Sequence, residues 1–354
     1  MIKVYAIRFR SPYHVGWREP SEIIESVTIH RALISLVYEI YGASRDSIVK
    51  KIIETRFSSL LPSIKINDKC YKPLIPYPPI PSKPKPEKMN IKWVTLNAVL
   101  EILSRVKRCI KEHQGTPYMI FEDEGAKIIC TGSSQVSEKR YEEKIGAKIL
   151  SRVLASDKED LERYLKGSFE PFEEINIWRN RIDRITGSAD LYRVSAFRAK
   201  TDLILIADGD PDIVSYLQEM LQILGKIGLG GMRSYGFGKF DVWEANICGD
   251  GLEKSLEDYV GFRGSDVYLS IGSYLGEDIE WERDKSFVRL KEIQGYSGPS
   301  YEGYILPVIR YASSGSIVYL KQSPKPRLIE ISASLYKPLI VFNSLFVRSD
   351  SYAE

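Results

Sequence analysis

The chain has 354 residues, enough for two domains with full cores, and its 50 Lys plus Arg against 47 Asp plus Glu leave a net charge of +3 and a pI near 8.4. A balance this even excludes a global positive field as the source of nucleic-acid binding, so any such surface has to be local. Three histidines, His14, His30 and His113, and four separated cysteines without a CxxC pair, Cys70, Cys109, Cys130 and Cys248, predict no metal site and no cofactor; the cysteines read as scattered thiols in a reducing compartment.

No apolar run approaches the roughly 18 residues of a membrane span, and no signal peptide opens the chain, which predicts a cytoplasmic protein with no membrane partner. MIKVYAIRFR, residues 1–10, is apolar on both faces (Ile2, Val4 and Ala6 against Tyr5, Ile7 and Phe9), as expected of a central strand. The loop that follows carries His14, Gly16, Trp17 and Arg18, residue types that stack on and pair with nucleotides; the plainer alternative is a solvent-facing connection with Trp17 tucked onto the core. A helix is expected over Thr28 to Tyr41, with Ile29, Leu33, Leu36, Val37 and Ile40 on one face, Gly42 as its stop, and His30 and Arg31 near an N-terminus able to attract anions.

Residues 70–90, rich in Pro and Lys, predict an extended polyproline-like segment and neither strand nor helix. IKWVTLNAVLEILSRVKRCI reads as a short strand or turn and then a helix, and residues 117–132 as a hairpin turning near Glu124-Gly125. The charged stretch from Ser133 to Lys166 is expected to be a helical or irregular surface insertion.

Residues 175–207 contain two extended runs flanking Thr186-Gly187-Ser188. Alternation along the first arm places Arg179, Arg181 and Asp183 on one face and Trp178, Ile182 and Arg184 on the other. A Trp-led arm with three arginines suits a nucleic-acid backbone; the alternative is a solvated strand whose Arg and Asp side chains pair with each other. An apolar strand, Leu203 to Ala207, follows. Asp210 as N-cap, Pro211 at the first helical position and Ile213, Val214, Leu217, Leu221 and Leu224 at helical spacing then define a helix, with Gly225 as its stop.

The densest signal comes next, GLGGMRSYGFGKF, Gly228 to Phe240. Its glycines leave backbone N–H groups free to turn toward a ligand, and Arg233 and Lys239 make that ligand an anion. The run lacks GxxxxGK[ST], and its helix-loop-strand order is the reverse of a dinucleotide-binding turn. An extended phosphate backbone, meaning RNA, fits better. A mobile linker is the alternative, but linkers are rarely clamped between two ordered elements.

Strand, helix, two or more strands, helix, strand is a β-α-β-β-α-β order. The expected fold is therefore α+β: a ferredoxin-like (RRM-like) domain with insertions over residues 1–247, and a second β-rich lobe, itself open to a ferredoxin-like reading, over residues 248–354. A Gly-rich loop between the second helix and the last strand of such a unit resembles the RAMP superfamily of CRISPR proteins. With RNRIDRITGSADLY, His14-Val15-Gly16 and the Pro-rich piece, the chain resembles the Csm-type subunits that cap the backbone of type III effector complexes.

The resemblance implies a non-catalytic subunit that grips the 5′ handle of the crRNA. It implies docking on a large palm-domain signalling subunit and on neighbouring backbone RAMP subunits, and only indirect contact with target RNA. Carried onto this sequence, Gly228, Gly230, Gly231, Met232, Arg233, Ser234, Tyr235, Gly236 and Lys239 would form the handle loop. Arg179, Arg181 and Arg184 would belong to a thumb-like hairpin, and His14 to a neighbouring loop. The family often has a basic residue where Met232 stands here. Two other readings stay open. One is a metal-independent crRNA-processing endoribonuclease using His30 with Tyr38 or Tyr41, or His14 with Tyr13. The other is a target-cutting backbone subunit using Asp46.

Overall fold

The computed structural model describes residues 1–16, 20–41, 46–122, 125–132, 141–157, 160–165, 169–248, 256–295, 306–330 and 339–349. Trp17, Arg18, Gly42 and Glu124, singled out above, lie outside the described residues.

The first strand, β1 (Ile2–Phe9), is the centre of the largest sheet. Its residues alternate between two cores: Val4 and Ala6 pack into one, Tyr5 and Ile7 into the other, the consequence of a two-residue repeat in a strand covered on both sides. The helix α1 (Ser26–Tyr41) begins two residues before its expected start, and α2 (Asp46–Glu54) follows. Three strands come next: β2 (Arg56–Phe57), β3 (Leu61–Lys65) and β4 (Cys70–Pro76). Burial explains why residues 70–76 form a strand where polyproline-like chain was expected. Tyr71, Leu74 and Ile75 are all interior, and that gain outweighs the donors lost at Pro73 and Pro76.

An added layer is built from α3 (Leu96–Lys111) and the separate sheet of β5 (Ser82–Lys83), β7 (Gly115–Glu122), β8 (Gly125–Gly132) and β9 (Tyr141–Ile145), while β6 (Trp93–Thr95), β10 (Ala147–Leu150) and β11 (Val153–Ser156) extend the main sheet. Thr95 caps α3 by accepting from the Ala98 N–H. The strands β9 to β11 correct the expectation of a helical or irregular insertion. In β11 the four residues Val153 to Ser156 are all buried, and the strand runs parallel to β6 in the main sheet. Its brevity between charged segments hid it.

A two-stranded arm, β12 (Phe172–Ile182) and β13 (Ala189–Ala199), leaves this body. Then β14 (Leu203–Asp208), α4 (Pro211–Ile227) and β15 (Phe240–Ile247) return to it. The helix α4 buries the five apolar residues its spacing predicted, and Asp210 caps it by accepting from the Asp212 N–H. It does not stop at Gly225. That residue lies inside the helix where a Cβ would collide with the backbone carbonyl of Phe240, so its role is close helix–strand approach, and Gly228 is the C-cap.

The main sheet has β15, β1 and β14 side by side and antiparallel, with β2 and β3 both pairing with β14. β3 also pairs with β4, and β4 runs parallel to β15, so β4, β15, β1, β14 and β3 close into a five-stranded ring. The result is a mixed α+β fold organised on a closed ring.

The remaining residues supply α5 (Leu256–Tyr259), β16 (Asp266–Ser270), β17 (Trp281–Phe287), β18 (Leu290–Ile293), β19 (Ile309–Ala312), β20 (Ser316–Leu320), β21 (Arg327–Glu330), β22 (Leu339–Phe342) and β23 (Phe346–Val347). They form a four-stranded sheet, β17-β20-β16-β23, and two short ribbons, β18-β19 and β21-β22. Val267, Leu269 and Ile317 of that sheet join the same core as Val4 and Leu61. The buried Glu25 carboxylate ties the parts together, accepting from Lys291 Nζ at 3.0 Å and Ser59 Oγ at 2.6 Å.

The four cysteines expected from spacing to be scattered come together in two pairs. Cys109 of α3 is joined to Cys130 of β8, and Cys70 at the start of β4 lies beside Cys248 just beyond β15, with Cα separations of 5.5 and 5.4 Å. The sheet register brings both pairs together, which sequence spacing cannot display.

Candidate nucleic-acid interface

The loop from Gly228 to Lys239 is an ordered structure pinned at several points. Leu229 N–H donates to Gly238 O at 2.9 Å, Gly231 N–H to His14 O at 2.7 Å, and Gly238 N–H to Pro12 O at 2.8 Å. On its far side Lys239 N–H donates to Ser11 Oγ. The chain just after β1 thus runs alongside the loop and holds it against the ring.

The glycines answer specific demands. Gly230 has φ +96°, and a Cβ there would stand 2.6 Å from His14 O. Gly228 and Gly238 also have positive φ and would drive a Cβ into the carbonyls of Phe237 and Leu229. Gly236 has φ +83° with open space around it, so conformation alone selects glycine there. Between them Arg233 to Tyr235 form one 3₁₀ turn, entered through Met232 in the left-handed region at φ 58°. Ser234, Tyr235 and Lys239 are exposed, and Arg233 is half-buried. Met232 packs beside Ile175, Ile177, Val194, Ala196 and Phe237. The position that is often basic in the resembled family is here part of an apolar joint.

The other half of that joint is the foot of the hairpin. β12 and β13 pair without a register break from Phe172↔Ala199 to Ile182↔Ala189, giving an arm about 37 Å long at ~3.4 Å per residue. The foot is buried and the outer half is open to solvent. Residues directly opposite share a face, so Ile177, Val194, Arg179, Tyr192, Arg181 and Asp190 line one side, and Trp178, Arg193, Asn180 and Leu191 the other. The first side turns onto the Gly-rich loop. Its apolar residues meet Phe237 and Met232, and the Arg179 guanidinium lies over the Tyr235 ring, 4.1 Å from the centroid.

Two sequence expectations need correction. Asp183 and Arg184 are not strand residues: β12 ends at Ile182, and both belong to the tip turn. The Asp183 carboxylate accepts from the Ile185 and Thr186 N–H groups, which holds it below the usual carboxylate range. The Arg and Asp side chains of the arm do not neutralise one another. Among the described residues, Arg181, Arg184 and Arg193 form no ion pair, whereas Lys51, Lys107, Lys111 and Lys127 elsewhere each have at least one carboxylate partner. Arg193, opposite Trp178, was missed; the hairpin register was the signal that locates it.

His14 sits where the three pieces meet. Tyr13 and Phe197 exchange both backbone hydrogen bonds, and His14 Nδ1 lies 2.7 Å from Ser195 O. A carbonyl only accepts, so Nδ1 is the donor in this contact. Tyr13 is fully buried and donates its hydroxyl to Glu22 O, and burial pushes that phenol well up, so it offers His14 no partner for proton transfer.

His30 does not face phosphate. It is fully buried between Ser26 O at 3.1 Å and Thr55 O at 2.9 Å, and desolvation pushes its imidazole down to about 4. Arg31 is likewise pushed down, to about 10, by burial. Asp46 is exposed at the start of α2. That helix is tied through Lys51 to Asp210 and Asp212, at the end of α4 opposite the Gly-rich loop and about 25 Å from it by helix length. Among the described residues no cluster of three or more His, Cys, Asp or Glu side chains could hold a metal ion, and no helix is long and apolar enough to cross a membrane.

The RAMP superfamily model matches residues 56–241, more than half of the chain. No curated protein matches. A chain of the crystallised Csm3-Csm4 subcomplex of the type III-A CRISPR-Cas interference complex shares the fold, with a TM-score of 0.58, 17% identity and coverage of 98% of this chain and 99% of that one. A chain of a Csm1-Csm4 cassette bound to pppApA aligns at 13% identity and a TM-score of 0.45, covering 98% of each chain. A chain of the type III-B Cmr-beta complex bound to cognate target RNA aligns at 12% identity and a TM-score of 0.45, covering 90% of this chain and 86% of that one.

Proposed function

This chain belongs to the RAMP superfamily, and we propose that it is a non-catalytic RNA-binding subunit of a type III CRISPR interference complex that grips the 5′ handle of the crRNA. The observation that carries this reading is the joint between Arg179 and Tyr235. It makes the Gly-rich loop and the hairpin one surface, over which Arg181, Arg233 and Lys239, with Arg184 at the tip, carry charge without an acidic partner among the described residues, while Arg193 lies on the arm's other face. Backbone phosphates are the ligand that such a surface lacks, and the exposed ring of Tyr235, with that of Trp178 on the arm's other face, can stack on bases.

Several finer features belong to the same proposal. The order β15-β1-β14-β2, with α1 and α4 as crossovers, supports an elaborated ferredoxin-like unit over residues 1–247, closed by β4, with residues 248–354 as a second lobe. The partners are a large palm-domain subunit and neighbouring backbone RAMP subunits, with target RNA contacted through them, in the cytoplasm. The Csm3-Csm4 subcomplex, whose fold this chain shares, supports assembly of this kind. The absence of a catalytic role is supported by the burial of His30 and Tyr13, which removes the proton-transfer pairs considered above.

The test is RNA binding by the full chain over a range of salt. Arg233→Ala should lower affinity for a handle-containing RNA and flatten the log–log salt slope by about 0.7 for each single-strand phosphate that Arg233 neutralises. Incubating the chain with a repeat RNA in the absence of metal should leave the RNA intact. A defined cut abolished by His14→Ala would replace this reading with a processing nuclease.

A further inference from the structure

The other lysine-rich stretch of the chain lies outside the surface just described. From the end of β5 to the start of β6, Lys83, Lys85, Lys88 and Lys92 are all exposed and, among the described residues, form no ion pair. Several lysines elsewhere on the body are paired: Lys107 and Lys111 share Asp266, and Lys127 lies between Glu122 and Glu142. One acid, Glu87, lies within the stretch.

This stretch is held in place. Ser82 and Lys83 pair with Met119 and Ile120, Ile91 N–H donates to Pro86 O, and Ile80 and Ile91 are buried on either side. Pro84 and Pro86 limit the backbone between the lysines. The apolar residues are spent inward, so the outer face offers charge without an apolar patch. Protein interfaces have the opposite composition, with apolar centres and few lysines, whereas a phosphate backbone needs only correctly spaced cations.

The stretch also runs into the hairpin foot. Lys92 and Trp93 both donate their N–H groups to Arg152 O, Arg152 pairs with Glu170, and the Trp93 ring lies 5.8 Å from that of Phe172, the first residue of β12. The lysine face therefore adjoins the base of the RNA-binding arm.

We infer that Lys83, Lys85, Lys88 and Lys92 form a second phosphate-binding track for single-stranded RNA, continuous with the foot of the hairpin. The inference rests on the RNA-binding reading above. It assigns the lysines to RNA that extends past the loop and the arm.

The experiment uses the full chain with a short and a long oligouridylate, each titrated at several salt concentrations. Replacing all four lysines by alanine should weaken binding of the long RNA and flatten its salt slope by about 1.4 to 2.8, as two to four phosphates go unneutralised, which is a ~2.6-fold change per phosphate across a fourfold rise in salt. Binding of the short RNA should be unchanged, and the four-arginine variant should behave like the parent chain. An unchanged slope for the long RNA, with Arg233→Ala still weakening binding, overturns the track and leaves the proposed function standing. Equal losses on both RNAs would also overturn it, as would an unaltered RNA slope together with lost binding to polyglutamate, which would make the face a dock for acidic protein. If neither the lysine variant nor Arg233→Ala affects RNA, the RNA-binding reading itself fails.

Discussion

Arg179 of the hairpin and Tyr235 of the Gly-rich loop are stacked, guanidinium over ring at 4.1 Å, and this contact makes one surface of two elements. Arg179 Nε is buried with no hydrogen-bond partner among the described residues, and the guanidinium also lies 6.0 Å from the Phe237 ring centroid. Cation–π contacts at sites this open contribute about 0.5–1 kcal/mol. Arg179→Ala and Tyr235→Ala should each weaken binding of handle RNA by roughly two- to fivefold. In a double-mutant cycle their effects should fall short of additive by that coupling energy. Strict additivity would mean that the two side chains contact RNA independently.

The glycines of the loop divide into two kinds, and their alanine variants should separate. At Gly230 a Cβ would meet His14 O at 2.6 Å as well as facing a positive φ, so Gly230→Ala has to shift the loop off the segment after β1. At Gly236 the space is open, and Gly236→Ala meets only the left-handed penalty of about 1–2 kcal/mol. RNA affinity should therefore fall much further in Gly230→Ala, with both variants retaining the parent far-UV spectrum. Equal affinities would show that the contact with His14 does not position the loop.

How much of this was legible depended on whether a feature is local. The arm and α4 are punctuated by their own residues, Thr186-Gly187-Ser188 and Asp210-Pro211, so the arm turns and α4 starts where the sequence placed them, although α4 runs past Gly225 to Ile227 and β12 ends at Ile182. Ring closure was not legible, because it depends on Tyr71 pairing with Ile247 across most of the domain and on a strand that contains two prolines. The candidate site was read as two separate pieces. Their contact follows from which face Arg179 shares with Ile177 and Val194, a parity that only the pairing of β12 with β13 settles. Met232 as an apolar joint and Arg193 as an added cation both follow from that same register.

His30 makes acid stability a test of the core. Its folded value of about 4 lies below the ordinary 6.5, so the unfolded chain binds the proton more readily. The buried neutral ring therefore contributes full stability above pH ~6.5, and that contribution is lost as pH falls toward 4, by up to about 3 kcal/mol. Urea midpoints measured from pH 7.5 to 4.5 should show His30→Gln less stable at pH 7.5, because the buried ring's edge contact with Phe57 is lost, together with its single N–H held between the Ser26 and Thr55 carbonyls. They should also show a shallower decline with acid in the variant. Parallel declines would place the acid sensitivity in other groups.

The bond between Cys109 and Cys130 clasps α3 to β8 in the added layer, across a sequence separation of 21 residues. Both residues are buried, and closing a loop of this size is worth about 3 kcal/mol on chain-entropy grounds. Reduction should accordingly loosen the layer; the ring, where Cys70 and Cys248 are also paired, is held in addition by strand pairing and apolar packing. Under denaturing alkylation the unreduced chain should leave Cys109 and Cys130 unlabelled. Dithiothreitol should lower the Tm, and Cys109→Ser should reproduce most of that loss. Because the lysine stretch is anchored to this layer through β5 and β7, reduction should also weaken binding of long RNA more than that of short RNA. Full alkylation of Cys109 without reductant would show that the pair is held as thiols, and the Tm would then be indifferent to dithiothreitol.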